Sequence, residues 1–321
     1  MNHPVLNVVV ARRRDEALDI ASFELRSEDD VPLPAFDAGS HIDVHLPNGL
    51  VRQYSLCNDP HETHRYTIAV LRDEAGRGGS KAVHDLVCEG DRLQISAPRN
   101  HFALAREAGH HLLLAGGIGV TPILCMAEHL ASAGESFDMH YCTRSKERTA
   151  FVERIAQAGF AKSVQFHHDD NPGGSTFDIE QALNRAPAGT HLYVCGPRGF
   201  MDFVLDTARA KQWPEDRLHY EFFGVLANQP AMGGRFQVRI VSSGATIDVP
   251  PECTVVQALA ANGIEVLTSC EQGVCGTCLT RVIAGEPEHL DSYLTDEERA
   301  ANDQFLPCCS RAKSPLLVLD L

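Results

Sequence analysis

The sequence has no long apolar run. None approaches the ~20 residues that a membrane-spanning helix needs. It is also short of positive charge: 28 Lys and Arg stand against 43 Asp and Glu, a net charge of −15. Nucleic acid or an anionic membrane would call for a basic face, and the composition does not supply one. The acid excess serves solubility or docking onto a basic patch of a redox partner; composition does not choose between them. The first residues also lack the order of a signal peptide. Val8, Val9 and Val10 precede Arg12, Arg13 and Arg14, whereas a signal peptide carries its charges first and ends in a small-residue cleavage site. This segment reads as a first β-strand and sets the expectation of a cytoplasmic protein. No internal repeat or low-complexity tract breaks the chain.

What is present suffices for two or three domains. The chain has 321 residues, 44% of them hydrophobic, enough for a sizeable core. Residues 1–104 carry short apolar runs at Val5–Val10, Ile42–Leu46, Tyr66–Leu71 and Arg92–Ser96, punctuated by Pro, Gly, Asn and Asp. That spacing predicts a small antiparallel β-barrel. Over 105–228 the pattern changes to strand and helix in alternation, which predicts a parallel, doubly wound sheet. Strands are expected at His111–Ala115, Phe137–Cys142, Val164–His167 and His191–Cys195. Helices are expected at Pro122–Ala131, Thr149–Ala158, Ile179–Asn184 and Phe200–Lys211. Residues 229–235 read as a linker. From 236 to 321 β signals return, with a hairpin around Ser243–Gly244 and a helix Val255–Asn262 stopped by Gly263.

Eleven cysteines in such a chain point to metal or redox work rather than disulfides. Cys270, Cys275 and Cys278 have the spacing C-x4-C-x2-C, with another cysteine about thirty residues on. This is the plant-type [2Fe–2S] pattern. Four thiolates must converge on two irons, so three come from one tight loop and the fourth from a distant strand end. Gly273 and Gly276 allow backbone N–H groups to turn toward the sulfurs. A zinc ribbon would want paired C-x2-C knuckles, and only one pair has that spacing. Either Cys308 or Cys309 supplies the fourth ligand, since strand neighbours face opposite ways. Cys57, Cys88, Cys125, Cys142 and Cys253 are expected to be buried small hydrophobes.

Three further stretches suggest nucleotide cofactors. Arg52, Gln53, Tyr54 and Ser55 close a barrel strand. Arg offers a fork for a phosphate, and Tyr a flat face and a hydroxyl for a flavin ring; alone, the stretch reads first as an ordinary half-exposed strand. Gly76–Lys81, with Gly78, Gly79, Ser80 and Lys81, precedes a helix whose N-terminus attracts anions; alone, it reads equally as a hairpin tip. Together they make an FMN cradle. Gly116, Gly117 and Gly119 follow a buried strand and open a helix, the context of a pyrophosphate-binding turn. Cys195, Gly196 and Pro197 end a later strand, where such sheets bind ligands. Cys195 is the candidate for positioning the nicotinamide, against the plain alternative of a strand-end core residue. Glu221-Phe222-Phe223-Gly224 offers an aromatic cover for the flavin. Thr143–Lys146 would hold a 2′-phosphate or be a solvated loop, while Asp169 and Asp170 would repel one.

With these motifs in hand the chain resembles the phthalate dioxygenase reductase family. The likeness rests on RQYSLCN (52–58), GGS (78–80), SAPRN (96–100), GGIGVTP (116–122), YVCGP (193–197), SCEQGVCGTC (269–278) and PCCSR (307–311). It implies three parts: an FMN-binding antiparallel β-barrel, an α/β nicotinamide-binding domain and a C-terminal plant-type ferredoxin domain of the β-grasp fold. It implies a reductase feeding a Rieske-type non-haem iron oxygenase of the aromatic O-demethylase or dioxygenase kind. Electrons would pass from NADH, with NADPH as the variant, to FMN, to the [2Fe–2S] cluster and on to the oxygenase. By the resemblance Arg52–Ser55, Ala69, Val70, Leu71, Gly78–Lys81 and Thr121 hold FMN, and Phe223 stacks near its ring. Gly116–Gly119 and Cys195–Pro197 face the nicotinamide nucleotide. Cys270, Cys275, Cys278 and Cys308 ligate iron. Where this chain has Cys309 the family often has Val. Two other readings compete: a stand-alone NAD(P)H flavin reductase or diaphorase, and a non-enzymatic zinc-binding module.

Overall fold

A computed structural model describes residues 5–76, 78–170, 177–223, 234–268, 273, 276–291 and 293–321. The chain divides into two compact units, Met1–Phe223 and Gly224–Leu321.

The first unit opens with β1 (Val5–Ala17) and β2 (Ile20–Ser27), followed by β3 (Ser40–His45), β4 (Val51–Ser55), β5 (Tyr66–Leu71), helix α1 (Gly79–Leu86), β6 (Arg92–Ser96) and the short β7 (Arg99–Asn100). β1 turns into β2 at Asp19, whose φ of 64° suits a short polar side chain. The sheet order is β4–β3–β6–β1–β2–β5, with β7 beside β3. A bridge between Leu56 and Ile68 then joins the two edges, so the curled sheet closes into a barrel. Val8, Phe23, Leu25, Ile42 and Ile95 fill it.

The same unit continues with β8 (His110–Gly116), α2 (Val120–Ala133), β9 (Phe137–Thr143), α3 (Val152–Gln157), β10 (Val164–His168), α4 (Ile179–Arg185), β11 (Thr190–Cys195), α5 (Arg198–Ala210) and β12 (Leu218–Glu221). The order β10–β9–β8–β11–β12 is parallel throughout. Strand order reverses between β8 and β11. At that switch point the carboxyl ends of neighbouring strands leave a crevice. α2 is buried along most of its length, and Ile123, Leu124 and Met126 share one core with the barrel's Phe23 and Ile42.

The second unit contains β13 (Phe236–Ile240), β14 (Thr246–Val249), α6 (Val255–Ala261), β15 (Thr280–Ala284), β16 (Pro287–Glu288), α7 (Asp296–Ala301), β17 (Gln304–Phe305), β18 (Arg311–Ala312) and β19 (Leu316–Leu319). The main sheet runs β14–β13–β19–β15–β17, with β13 parallel to β19 and the other pairs antiparallel. α6 starts at a Thr254–Gln257 capping box and lays Val255, Ala258 and Leu259 into the core.

Three expectations need correction. Cys88 is exposed, and Cys142 and Cys253 are only partly buried, while Cys57 and Cys125 are buried as expected. Cys88 sits in a surface turn, where its N–H donates to Asp91 Oδ2 (2.7 Å). The helix expected from Thr149 starts only at Val152, because Phe151 takes a φ of 61°. Cys308 and Cys309 lie in a turn, not a strand: Leu306 O accepts from both Cys309 N (3.2 Å) and Ser310 N (2.9 Å). The alternating-face argument therefore does not apply to them. Most of the expected linker 229–235 lies outside the described residues.

Candidate cofactor sites

The barrel's contribution begins with β4. Arg52 extends toward the start of α1, so that a Cβ on Gly79 would press on its side chain. The guanidinium also donates to Val51 O (2.8 Å). Gly78 precedes α1 with a φ of 79°, a turn that a larger residue would strain. Arg52 and the N-terminus of an eight-residue helix thus face one spot, an arrangement that favours a phosphate. Ser80 Oγ accepts from Asp73 N (3.1 Å). Lys81 is tied to Asp85 (2.9 Å) and points its charge along the helix surface. Next along β4, the buried amide nitrogen of Gln53 has no hydrogen-bond partner among the described residues. Tyr54 is partly buried, which pushes its phenol up from the usual range. Ala69 and Val70 are buried on β5 and Leu71 is partly so. Thr121 is buried on α2, its hydroxyl on Ile118 O (3.1 Å).

The nucleotide side is built by close backbone approach. A Cβ at Gly119 would strike the Cys195 carbonyl, and one at Gly116 would meet Pro197 and Phe200 at 2.8–2.9 Å. Gly196 packs on Gly116 just as tightly. Gly117 takes a φ of 53° and has open space beside it. Gly116, Gly117, Gly119, Cys195, Gly196 and Pro197 are therefore one feature, formed where β8 and β11 end. Cys195 is fully buried between Ala115 and Glu221 on the flanking strands. Burial pushes its thiol up, and the nearby Glu221 adds to this.

The two sets of residues meet at Glu221. Ser55 Oγ, on the barrel, donates to Glu221 Oε2 at 3.3 Å. His41, beside Ser55 in the β3–β4 register, places Nδ1 4.0 Å from Glu221 Oε1. Burial raises the Glu221 carboxyl to about 7, while the Ser55 hydrogen bond pulls the other way. Burial lowers His41 to about 3, helped by Arg99 and His101. Neither Glu221 nor His41 was singled out in the sequence. Glu221 stands next to the aromatic pair that drew attention, and no local signal links it to a serine 166 residues away. Phe223 is 44% exposed, free to cover a ligand. A second missed group is Arg154, which binds Glu128 on α2 and the barrel's Cys57 O (2.8 Å), fastening the two halves of the unit. Asp169 and Asp170 donate backbone N–H groups to Thr143 O and Arg144 O (3.1 and 3.2 Å). The acid pair and the basic stretch after β9 therefore occupy the same rim.

In the second unit the described part of the cysteine set comes together. Cys278 and Cys308 are both buried and share a small cluster with Leu294 and Leu306. The contact with the Cys278 thiol pulls Cys308 down from its usual range, while the neighbouring Cys309 thiol donates to Leu306 O (3.7 Å). Cys270 and Cys275 lie outside the described residues. Gly273 and Gly276 adopt φ of 71° and 70°. Thiols already converging, beside glycines in the left-handed region, suit a thiolate-held cluster. The turn is pinned by Asp291, which is buried and accepts from Leu294 N (2.9 Å) and Ser310 Oγ (3.2 Å).

Comparison with known proteins extends this geometry. Residues 238–313 match the model of the 2Fe-2S iron-sulfur cluster binding domain, and residues 94–218 that of the dimethylamine monooxygenase subunit DmmA-like N-terminal domain. The vanillate O-demethylase oxidoreductase of Pseudomonas putida is 54% identical over 99% of this chain and all of its own length. The phthalate dioxygenase reductase of Burkholderia cepacia is 40% identical over 98% of this chain and 97% of its own. A solved phthalate dioxygenase reductase, described as a modular structure for electron transfer from pyridine nucleotides to [2Fe-2S], aligns with a TM-score of 0.77. It is 41% identical and covers 99% of this chain and 98% of its own.

Proposed function

The chain belongs to the phthalate dioxygenase reductase family, and from that premise we propose that it is the NADH-dependent, FMN-carrying reductase component of a two-component Rieske-type oxygenase. It is an iron–sulfur oxidoreductase. The oxygenase partner is read as an aromatic O-demethylase or dioxygenase and the setting as cytoplasmic. Among the described residues no helix is long and apolar enough to cross a membrane. One observation carries the reading: the Ser55–Glu221 hydrogen bond, which joins the flavin motif of the barrel to the nicotinamide end of the sheet in one crevice.

When bound, FMN would supply acceptance of one hydride and release of its two electrons one at a time, and the [2Fe–2S] cluster would supply single-electron carriage. The rest of the work falls to the chain. Arg52 and the α1 N-terminus, Gly78 to Lys81, hold the phosphate. Gln53 supplies a buried amide donor toward the ring, between walls formed by Tyr54, Ser55, Ala69, Val70, Leu71 and Thr121. Gly116, Gly117, Gly119, Gly196 and Pro197 give the nicotinamide nucleotide its backbone approach. Cys195, kept as a neutral thiol by burial, positions the nicotinamide, and Phe223 covers the crevice. Glu221 holds a proton on its carboxyl below about pH 7. Cys278 and Cys308, with Cys270 and Cys275, ligate the irons. Asp169 and Asp170, on the rim of Thr143 and Arg144, disfavour a 2′-phosphate and so favour NADH.

Anaerobic purification tests this directly. The protein should be brown and contain FMN, iron and sulfide, and NADH should drive turnover of a purified oxygenase. Zinc in place of iron, or oxygenase turnover that survives removal of the iron, rejects the reading.

A further inference from the structure

Helix α1 is fastened by its tail. In its last turn His84 is half-buried, with Nε2 2.9 Å from Val70 O. A carbonyl only accepts, so Nε2 carries the hydrogen and donates. Val70 lies on β5, the last strand in the sheet order, where a helix side chain can reach its carbonyl. Arg13 of β1 holds the same end of α1. Its Nη1 donates to His84 O (3.0 Å) and Val87 O (3.4 Å), and its guanidinium rests 5.7 Å over the Phe23 ring. A cation there also suits the negative end of a helix. Eight residues are too few for a helix to hold its own shape and place in water, so these contacts set where α1 lies. The opposite end of α1 abuts Arg52 at Gly79. His84 is five positions further on, about 7.5 Å along the axis, and does not itself reach that spot.

We propose that His84 is a positioning residue for the flavin phosphate: its hydrogen bond to Val70 O fixes α1 so that the helix's first N–H groups and the Arg52 guanidinium meet on one phosphate. Arg52 comes from β4 and α1 from the chain after β5, so their convergence depends on how α1 is seated. His84 seats it on the strand that also carries Ala69, Val70 and Leu71, the wall of the ring site. An apolar ring of similar size would fill the space but leave Val70 O unpaired and α1 loosely held. β5 would keep its ladder to β2, so the ring wall would stay in place. His84 therefore acts on the phosphate end of the ligand and not on the ring. This inference rests on the FMN reading above.

The experiment titrates the full chain, stripped of flavin, with FMN and with riboflavin, which has the same ring and no phosphate. Binding is read from flavin fluorescence for wild type, His84→Phe and His84→Gln. His84→Phe should weaken FMN binding by about tenfold, the upper end of what one hydrogen bond supplies net. Riboflavin affinity should not move, so the preference for FMN falls by the same factor. His84→Gln places an amide N–H near the position of Nε2 and should restore the preference. If His84→Phe does not fold, His84→Leu carries the same comparison. An unchanged ratio of FMN to riboflavin affinity overturns the proposal, whether both affinities hold or both fall together as a packing defect would make them. So does a Gln variant that behaves like Phe. A wild-type chain with no preference for FMN over riboflavin overturns the phosphate site of the functional reading and this inference with it.

Discussion

The two cofactor regions are built on different principles. In the first unit the functional groups sit on strand ends and a helix start, and glycines bring backbone against backbone. Their support is a single core running from the barrel through α2 to β8 and β9. In the second unit Cys278 and Cys308 are themselves half of a small cluster completed by Leu294 and Leu306. One site is a consequence of the fold. The other counts its prospective ligands among its packing, so ligation and local folding are coupled there. The first region should keep its shape without cofactor; the second should not.

The largest test of that contrast is Cys278→Ser. Electron delivery to a one-electron acceptor protein should fall by more than about 100-fold, the upper range reached even by outer-shell losses at metal sites. NADH bleaching of the flavin, followed by stopped-flow absorbance, should stay near wild type. Calorimetry should show the second unit melting earlier and the first unmoved; a common shift of both would erase the contrast.

Gly119→Ala comes next and attacks the first unit. Its new Cβ points into the Cys195 carbonyl, and overpacking of this kind costs about 1–3 kcal/mol. NADH affinity, measured by equilibrium titration, should drop while the cluster's EPR signal stays. Cys195→Ala should act more gently. Flavin reduction slows by about tenfold, as expected for loss of positioning rather than of chemistry, with the cluster intact. Unchanged flavin reduction would leave Cys195 as plain core.

The smallest effect concerns pH. Glu221 ionises near 7 in the folded chain instead of near 4.5, because burial disfavours its charged form. Its contribution to stability is complete below about pH 4.5 and is lost as pH rises through about 7. His41 has the opposite sign. Its pKa is depressed from 6.5 to about 3, so its contribution is present above 6.5 and lost as pH falls toward 3. Glu221→Gln should therefore remove the alkaline-side loss, and its melting temperature should gain on wild type between about pH 5 and about pH 8. A constant difference across that range would show that Glu221 does not titrate there.

The contrast also explains what the sequence revealed. Strands with alternating or continuous apolar runs and turn residues at both ends were legible to the residue, as at Tyr66–Leu71 and Arg92–Ser96. The glycine turn after β8 and the cysteine spacing were legible because each chemistry demands a local pattern. Groups set by tertiary contact were not. Ser55 and Glu221 lie 166 positions apart, and Arg154 reaches Cys57 across 97. The turn at Cys308 looked like strand because β17 and β18 flank it; Leu306 O, by capturing two successive N–H groups, bends the chain instead. Cys88 looked buried by type, but the hydrogen bond to Asp91 holds it at the surface.

The central claim is that hydride taken in by the first unit leaves as single electrons through the second. Anaerobic addition of NADH to the purified protein, followed by absorbance and low-temperature EPR, tests it most directly. The account predicts flavin bleaching together with the EPR signal of a reduced [2Fe–2S] cluster. Bleaching of the flavin with a cluster that stays oxidised and EPR-silent would contradict it.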